Sequence, residues 1–285
     1  MTTRVILVTD QDNLDLTASD RFYAAALREL GADVAILAWD DAAWASGPKA
    51  DIVVLRSTWD TWTTPERWSA FGDFLARLET LDAVICNPPP VLRWGLDKER
   101  FAELGSVGLR LPASIAIENP ADAHAAMERA GWSQAVLKPT VGGSGFGVSL
   151  LRAGEALPTD LPASVGRWLL QEFVPEISTG ELNVVVIDGQ VSHMVRKTPA
   201  VGEWRSNWRF KPDWRLEPVS EPAAEAARRA LSFFPEPPLY LRVDGVVTET
   251  GFVLLECEVE SPSLFFFFEP DAAMRMARAT LARCG

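Results

Sequence analysis

The sequence predicts an α/β protein: an N-terminal open parallel sheet followed by two lobes built from antiparallel strands. Three observations carry this. Short apolar runs alternate with segments of helical spacing between residues 5 and 86, the pattern of a parallel sheet with crossover helices. The dipeptide Asp188-Gly189 and the stretch Thr248–Gly251 each join two strand-like runs, which reads as hairpins. The stretch Tyr240–Leu264 alternates, with Leu241, Val243, Val247, Val253, Leu255, Cys257 and Val259 at odd positions and Arg242, Asp244, Glu256, Glu258 and Glu260 at even ones, so one face is apolar and the other charged. The lobes are expected at residues 1–90, 91–175 and 176–285.

In the first lobe, Val5–Thr9 is a buried strand, and Asp20–Leu30 a helix with Phe22, Ala26, Leu27 and Leu30 at helical spacing before Gly31. Val34–Trp39, Asp51–Arg56 and Ala83–Cys86 are further strands. Thr64-Pro65 opens a helix that puts Trp68, Phe71, Leu75 and Leu78 on one face. Ligands of open parallel sheets bind beyond the carboxyl ends of the strands. That rim contains Thr9, Asp10, Arg56, Ser57, Thr58, Trp59, Asp60 and Asn87, so Arg56, Ser57, Trp59 and Asp60 are candidate substrate contacts. Asn87-Pro-Pro-Pro90 is a stiff connector that ends the lobe.

In the second lobe Lys98 opens a helix, Ala121–Ala130 is another, and Gln134–Lys138 is a strand. The loop Val141–Val148 holds Gly142, Gly143, Ser144 and Gly145. It lacks the Gly-Lys-Ser/Thr of a P-loop and leads into the strand Val148–Leu151 rather than a helix. A glycine loop between strands makes a flap whose backbone N–H groups can close over phosphates, with Lys98 and Lys138 alongside as point charges. Trp168–Val174 is a buried strand whose free edge groups suit an adenine ring, and Glu181 follows closely enough to reach ribose hydroxyls.

In the third lobe Leu182–Ile187 and Gln190–Lys197 form a hairpin whose His193 is read as structural. Gly202–Lys211 concentrates Arg205, Arg209 and Lys211 in an otherwise acidic chain, which suggests an anionic ligand with Arg205 bidentate on it and Asn207 nearby. Glu221–Ser232 and Ala272–Ala282 are helices, and Leu264–Phe268 is core or an apolar lid. The charged hairpin sets Asp244 opposite Glu256 and Arg242 opposite Glu258. Apposed carboxylates repel unless a cation lies between them, and their hard oxygens suit Mg2+ holding a phosphate. Removing one of them is therefore expected to leave the melting temperature at or above wild type. The alternative is a solvated outer face.

Composition excludes several classes. A net charge of −12 with pI near 4.7 argues against a nucleic acid or an anionic membrane as partner. Cys86, Cys257 and Cys284 show neither disulfide nor metal spacing. No apolar run approaches the roughly 18 residues that span a bilayer, and no signal is visible. These features predict a cytoplasmic protein with a small-molecule substrate; oligomeric state has no signal.

The order Lys98, the Lys138 strand, the glycine flap, Gln171-Glu-Phe-Val174, Gly180-Glu181, Arg205-x-Asn207, Asp244 and Glu256-x-Glu258 resembles the ATP-grasp superfamily over nearly the whole chain. The resemblance implies a three-lobe ATP-grasp fold, α+β in the grasp lobes, behind a parallel-sheet pre-ATP-grasp domain similar to that of glutathione synthetase-like ligases. It implies ATP and Mg2+ as cofactors. Position by position, Lys98 and Lys138 would bind phosphates, Glu172, Phe173 and Val174 adenine, and Glu181 ribose. Arg205 would stabilise the transferred phosphoryl, and Asp244, Glu256 and Glu258 would hold metal, with Glu260 a rival for the third position because the commonest pattern ends Glu-x-Asn. Arg242 is read as a substrate or phosphate clamp. Arg56–Asp60, Leu92-Arg-Trp94, Ser192-His193 and Ser261-Pro-Ser-Leu-Phe265 are similar to D-cycloserine synthetase-type enzymes, which close a ring using ATP.

The expected activity is ATP- and Mg-dependent ligation: a small carboxylate or acyl group of an amino-acid-like substrate is activated by phosphoryl transfer and attacked by an amine, releasing ADP and phosphate. Two alternatives accompany it, a cyclising ligase acting on an O-ureidoserine-type substrate and a nucleotide-binding module without chemistry. A dinucleotide enzyme is disfavoured, since no glycine fingerprint follows Val5–Thr9.

Overall fold

The computed structural model describes residues 2–284 and contains three sheets. The first is parallel, in the order β2-β1-β3-β4, from β1 (Arg4–Thr9), β2 (Asp33–Ala38), β3 (Ile52–Ser57) and β4 (Val84–Cys86). Helix α1 (Ala18–Glu29) starts where Thr17 accepts a hydrogen bond from the Asp20 N–H, and α2 (Pro65–Leu78) where Thr64 does the same for Arg67. Strand alternation sends Val53 and Leu55 against Phe71, Phe74 and Leu75 of α2, while Ile52 and Val54 face Tyr23 and Leu27 of α1.

After α3 (Pro89–Gly95), a second, antiparallel sheet has the order β5-β8-β6-β7, from β5 (Ser114–Ile117), β6 (Gln134–Pro139), β7 (Ser149–Arg152) and β8 (Trp168–Glu172). Helix α4 (Ala123–Ala130) packs on it through Ala126 and Met127. The third sheet is antiparallel in the order β11-β10-β9-β12-β13, from β9 (Glu181–Ile187), β10 (Gln190–Thr198), β11 (Asp213–Glu217), β12 (Tyr240–Thr248) and β13 (Gly251–Glu258). Ala223, Ala226, Ala227 and Ala230 of α5 (Glu221–Ser232) cover Leu182, Val184, Leu241 and Val243 on one face. The other face carries the polar residues. Among the described residues no helix is long and apolar enough to cross a membrane.

Several elements depart from the sequence expectation, among them β5, a strand not expected from the sequence, and α3, which begins within the Asn87–Pro90 connector. Strand β11 was not foreseen because Asp-Trp-Arg-Leu-Glu is charged and lies at a sheet edge, with only Trp214 packed inward against Phe265 and Phe267. The last helix, α6 (Pro270–Leu281), packs on both α1 of the first lobe and β9 of its own, and Tyr23 Oη lies 2.7 Å from Thr280 Oγ1. The chain end thereby ties the third lobe to the first. Asn87 makes a second tie: its side chain donates to Tyr240 O and Val259 O and accepts from Leu239 N. It is a staple between sheets, not an open rim group.

Register in the β12–β13 hairpin decides the site. Pairing runs Arg242↔Glu258 and Asp244↔Glu256 as expected, then slips, with Gly245 opposite Leu254. The extra residue, Leu255, is a bulge, so it turns into the cleft instead of joining the apolar face. Gly245 permits this, because a Cβ there would lie 2.3 Å from the Val253 carbonyl oxygen.

Candidate active site

A cleft of about 800 Å3 opens where the two antiparallel sheets meet the edge of the first lobe. Its floor is the charged face of β12 and β13. Asp244, Glu256 and Glu258 each offer a carboxylate oxygen within 4.8 Å of the others. Their repulsion is met by two cations. Arg242 donates from Nε and Nη2 to Asp244 at 2.7–3.0 Å, to Glu258 from Nη2, and to Ser263 O at 3.1 Å from Nη1. Lys138 Nζ lies 3.4 Å from Glu256 Oε1. Burial would raise the Glu256 carboxyl, yet Lys138, Lys98 and Arg242 together bring it below the ordinary value. Burial, reinforced by Asp244 and Glu256 against the pull of Arg242, raises Glu258 to about 7. Burial lowers Lys138, with Glu256 opposing.

Glu260 lies outside this triad. Thr58 and Ser261 donate their hydroxyls to its two oxygens, and burial raises it to about 7. The rivalry for the third ligand position therefore falls to Glu258 on geometry.

The glycine loop between β6 and β7 hangs over the floor. Gly142, Ser144, Gly145 and Gly147 have φ between 52° and 147°, a path that side-chain-bearing residues resist. Three elements hold it. Lys98 Nζ donates to Gly142 O, Arg209 Nη2 donates to Gly145 O, and Phe146 packs on Trp62 of the first lobe with ring centroids 4.9 Å apart. Gly142, Gly143, Ser144 and Gly145 all line the cleft.

At the far end Val136, Val148, Val174, Ile177 and Leu255 form an apolar slot beside Glu172, Phe173 and Val174. The Phe173 ring is edge-on to Trp204 at 5.9 Å, and the Val174 N–H has no backbone partner among the described residues. Glu181 closes the slot. It accepts from Ser206 Oγ, and its carboxyl is raised by burial against the pull of Lys197.

The structure relocates several residues singled out by sequence. Arg56 is fully buried, donating to Asp20 at 2.8 Å and to Pro262 O at 2.8 Å, with its guanidinium 4.8 Å from the Tyr240 ring centroid. Ser57 is also fully buried and donates to Asp20. Asp60 accepts from Trp39 Nε1 and pairs with Arg67. None of the three lines the cleft, so they are not substrate contacts; they brace the first lobe because the strand ends are capped by Pro262 and Tyr240 of the third. Trp59 does line the cleft, anchored by Nε1 donating to Ser261 O at 2.9 Å. Arg205 and Asn207 line it too, but the charge of Arg205 already has a partner: Glu203 accepts at 2.9 and 3.0 Å, and the Phe210 ring stacks 3.8 Å away. The hydrogen bonds from Arg205 hold the Glu203 carboxyl down at about 2. Arg242 is a clamp on carboxylates in this state, with Phe265 at 5.5 Å.

Sequence reasoning missed Lys197 and Glu203. Lys197 faces the cleft between the Trp214 and Phe265 rings at 5.8 and 5.2 Å, and burial lowers its pKa. Its register opposite Glu181 was the available signal.

Residues 5–87 match the family described as D-cycloserine synthetase DcsG, N-terminal domain, and residues 111–265 match the prokaryotic glutathione synthetase ATP-grasp domain. The cycloserine biosynthesis protein DcsG of Streptomyces lavendulae is 28% identical over 97% of both chains. A probable alpha-L-glutamate ligase of Parasynechococcus marenigrum is 30% identical over 55% of this chain and 34% of its own. The crystal structure of D-cycloserine synthetase DcsG superposes with a TM-score of 0.84 at 26% identity, over 99% of this chain and 100% of that one. A RimK domain ATP-grasp protein of Sphaerobacter thermophilus, with TM-score 0.72 at 17% identity over 98% of this chain and 100% of that one, shares the fold. With one family match spanning more than half of its length, the chain belongs to the ATP-grasp ligases of the prokaryotic glutathione synthetase type, enzymes that form carbon–nitrogen bonds and release ADP.

Proposed function

We propose that this protein uses ATP and Mg2+ to phosphorylate the carboxylate of a small amino-acid-like substrate, and that an amine then displaces phosphate from the acyl phosphate. The observation that carries this reading is the carboxylate triad facing Lys98, Lys138 and a glycine flap across one cleft. The donor set fits the metal: Asp244, Glu256 and Glu258 bring three hard oxygens within 4.8 Å, the chemistry Mg2+ takes alongside phosphate. When bound there, the ion would supply charge neutralisation at the phosphates.

The chain's own residues do the rest. The apolar slot beside Phe173 and Val174 takes the adenine, and Glu181 the ribose. Lys98 leaves Gly142 O for a phosphate oxygen, and Lys138 shares its charge between Glu256 and the phosphates. In the first step a carboxylate oxygen bonds to the γ-phosphorus as the bond to ADP breaks. Arg242 and Arg205 both line the cleft, and their charges, that of Arg205 on turning from Glu203, oppose the negative charge of that transfer. In the second step the amine nitrogen bonds to the acyl carbon, phosphate leaves, and the amine proton goes to phosphate or solvent. No protein nucleophile takes part. We assign residues 1–90 to substrate binding and 91–175 and 176–285 to the two halves of the grasp.

Whole-length likeness to D-cycloserine synthetase is compatible with a variant in which the attacking nitrogen, that of the ureido group, and the carboxylate belong to one O-ureidoserine-type molecule, so that the second step closes a ring. The free cysteines Cys86, Cys257 and Cys284 support a reducing, cytoplasmic setting. Phosphorus NMR of ATP turnover over a panel of amino acids tests the reading. ADP and phosphate in equal amounts are expected; AMP and pyrophosphate would refute it, and ATP binding without consumption would favour a module without chemistry.

A further inference from the structure

Most carboxylates deep in the cleft have a cation. Asp244 and Glu258 have Arg242, and Glu256 has Lys138. Glu260 has none within ion-pair distance among the described residues; its oxygens receive only the hydroxyls of Thr58 and Ser261. The guanidinium on that side, Arg56, gives Nε to Asp20 and Nη2 to Pro262 O; its Nη1 has no hydrogen-bond partner, and its charge acts on Glu260 without forming an ion pair. Glu172 and Glu181 also lack a salt bridge, but Glu172 is exposed at the adenine end, and Glu181 accepts from Ser206 with Lys197 opposite it on the neighbouring strand.

Position gives Glu260 a use. Glu256, Glu258 and Glu260 follow one another at two-residue spacing, and Glu260 lies just past the end of β13, within roughly 7 Å of chain from the third triad residue, on the side of the first lobe. It sits at a seam: Thr58 reaches it from the end of β3, and Trp59 Nε1 donates to the neighbouring Ser261 O at 2.9 Å. Trp59, Trp62 and Phe265 wall this end of the cleft. A half-buried carboxylate with spare acceptor capacity, beside aromatic rings, is a receptor for an ammonium group.

We infer that Glu260 is a specificity-determining residue that anchors the ammonium group of an amino-acid substrate whose carboxylate, a few bonds away, lies beside Arg242 in the same cleft. This rests on the ligase reading above. It makes the cleft selective for amino acids over simple carboxylic acids, because an acid lacking the amine forgoes the charge-assisted hydrogen bond that an ammonium makes with Glu260.

The test uses the full chain with MgATP and the D and L forms of alanine, serine and O-ureidoserine, each beside its desamino acid, following ADP release, together with calorimetry of MgADP binding. Wild type should turn over at least one amino acid and discriminate against its desamino partner. Glu260→Gln should raise KM for the amino acid about 10- to 100-fold, as expected for loss of a charge-assisted hydrogen bond, with kcat much less affected and MgADP affinity within about twofold of wild type. Glu260→Asp, which keeps the charge, should recover part of the loss. Equal KM values in wild type and Glu260→Gln would overturn the inference. So would a loss of MgADP affinity in Glu260→Gln, which would make the residue a metal ligand, and so would a wild type that binds MgADP but turns over no amino acid of the panel. A wild type that fails to bind MgADP at all would instead remove the ligase reading and the inference with it.

Discussion

The substitution Asp244→Ala separates two views of the triad. Apposed carboxylates alone predict that removing one relieves repulsion and leaves the melting temperature at or above wild type. The structure reverses that expectation because Arg242 lies among them. Arg242 is 5% exposed and Asp244 2%, and three of the contacts of this guanidinium, at 2.8, 3.0 and 2.7 Å, go to Asp244. Arginine does not deprotonate in a protein, so the variant strands a buried charge. Removing one partner of a buried pair costs about 3–5 kcal/mol; Glu258 still touches Arg242, which puts the cost near the lower end, about 3 kcal/mol. At roughly 2–4 °C per kcal/mol for a chain of this size, melting should fall by roughly 6–12 °C. Circular dichroism melts in chelator-containing buffer measure it. Arg242→Met with Asp244→Leu and Glu258→Gln, which removes the guanidinium and both carboxylates it pairs, should recover most of the loss. A single variant melting at or above wild type would refute the view that Arg242 neutralises the triad.

Burial lowers the pKa of His193, whose Nε2 lies 2.8 Å from Leu264 O and whose Nδ1 lies 3.0 Å from Ser192 Oγ, the pattern of a neutral ring. The unfolded state takes up this proton first as pH falls below about 6.5, so stability is full above that value and lost as pH drops towards the lower folded pKa; urea melts at pH 5 and 8 should show a smaller difference in His193→Gln than in wild type. Cys86 and Cys257 are buried with their thiols raised, Cys86 to about 11, whereas Cys284 is exposed. At pH 8 a thiol reagent should therefore label Cys284 alone in the folded protein and all three cysteines in denaturant, and fast labelling of Cys257 would contradict the packed face of β13. Trp62→Ala removes the ring that holds Phe146, a contact of about 0.5–1.5 kcal/mol, so proteolysis within residues 142–147 should speed up roughly two- to tenfold; an unchanged rate would show that Lys98 and Arg209 hold the flap alone.

Much of this site was legible because its signals are local. Two-residue alternation puts Arg242, Asp244, Glu256 and Glu258 on one face, and the turn fixes which of them meet, so pairing in the hairpin follows from sequence as far as the bulge. The bulge does not follow, because it depends on the close approach of the Val253 carbonyl to Gly245. The rim residues failed for a related reason. Arg56 and Ser57 end a parallel strand, where ligands often sit, but Pro262 and Tyr240, some 200 positions away in sequence, cover that end. Charge met by charge from another element hides likewise: nothing in the Gly202–Lys211 composition shows that Glu203 would take up Arg205, or that β11 would form beyond it. Lys197 was readable only once Glu181 and the β9–β10 register were known.

The central claim is that a substrate carboxylate attacks the γ-phosphorus of ATP in this cleft. Turnover of an accepted amino acid labelled with oxygen-18 in its carboxylate tests it directly, by mass spectrometry of the phosphate released. The mechanism predicts one labelled oxygen in phosphate for each ADP formed, and the label should disappear with turnover in Glu256→Gln. Phosphate free of label, alongside undiminished ADP formation, would contradict carboxylate activation and leave simple ATP hydrolysis in its place.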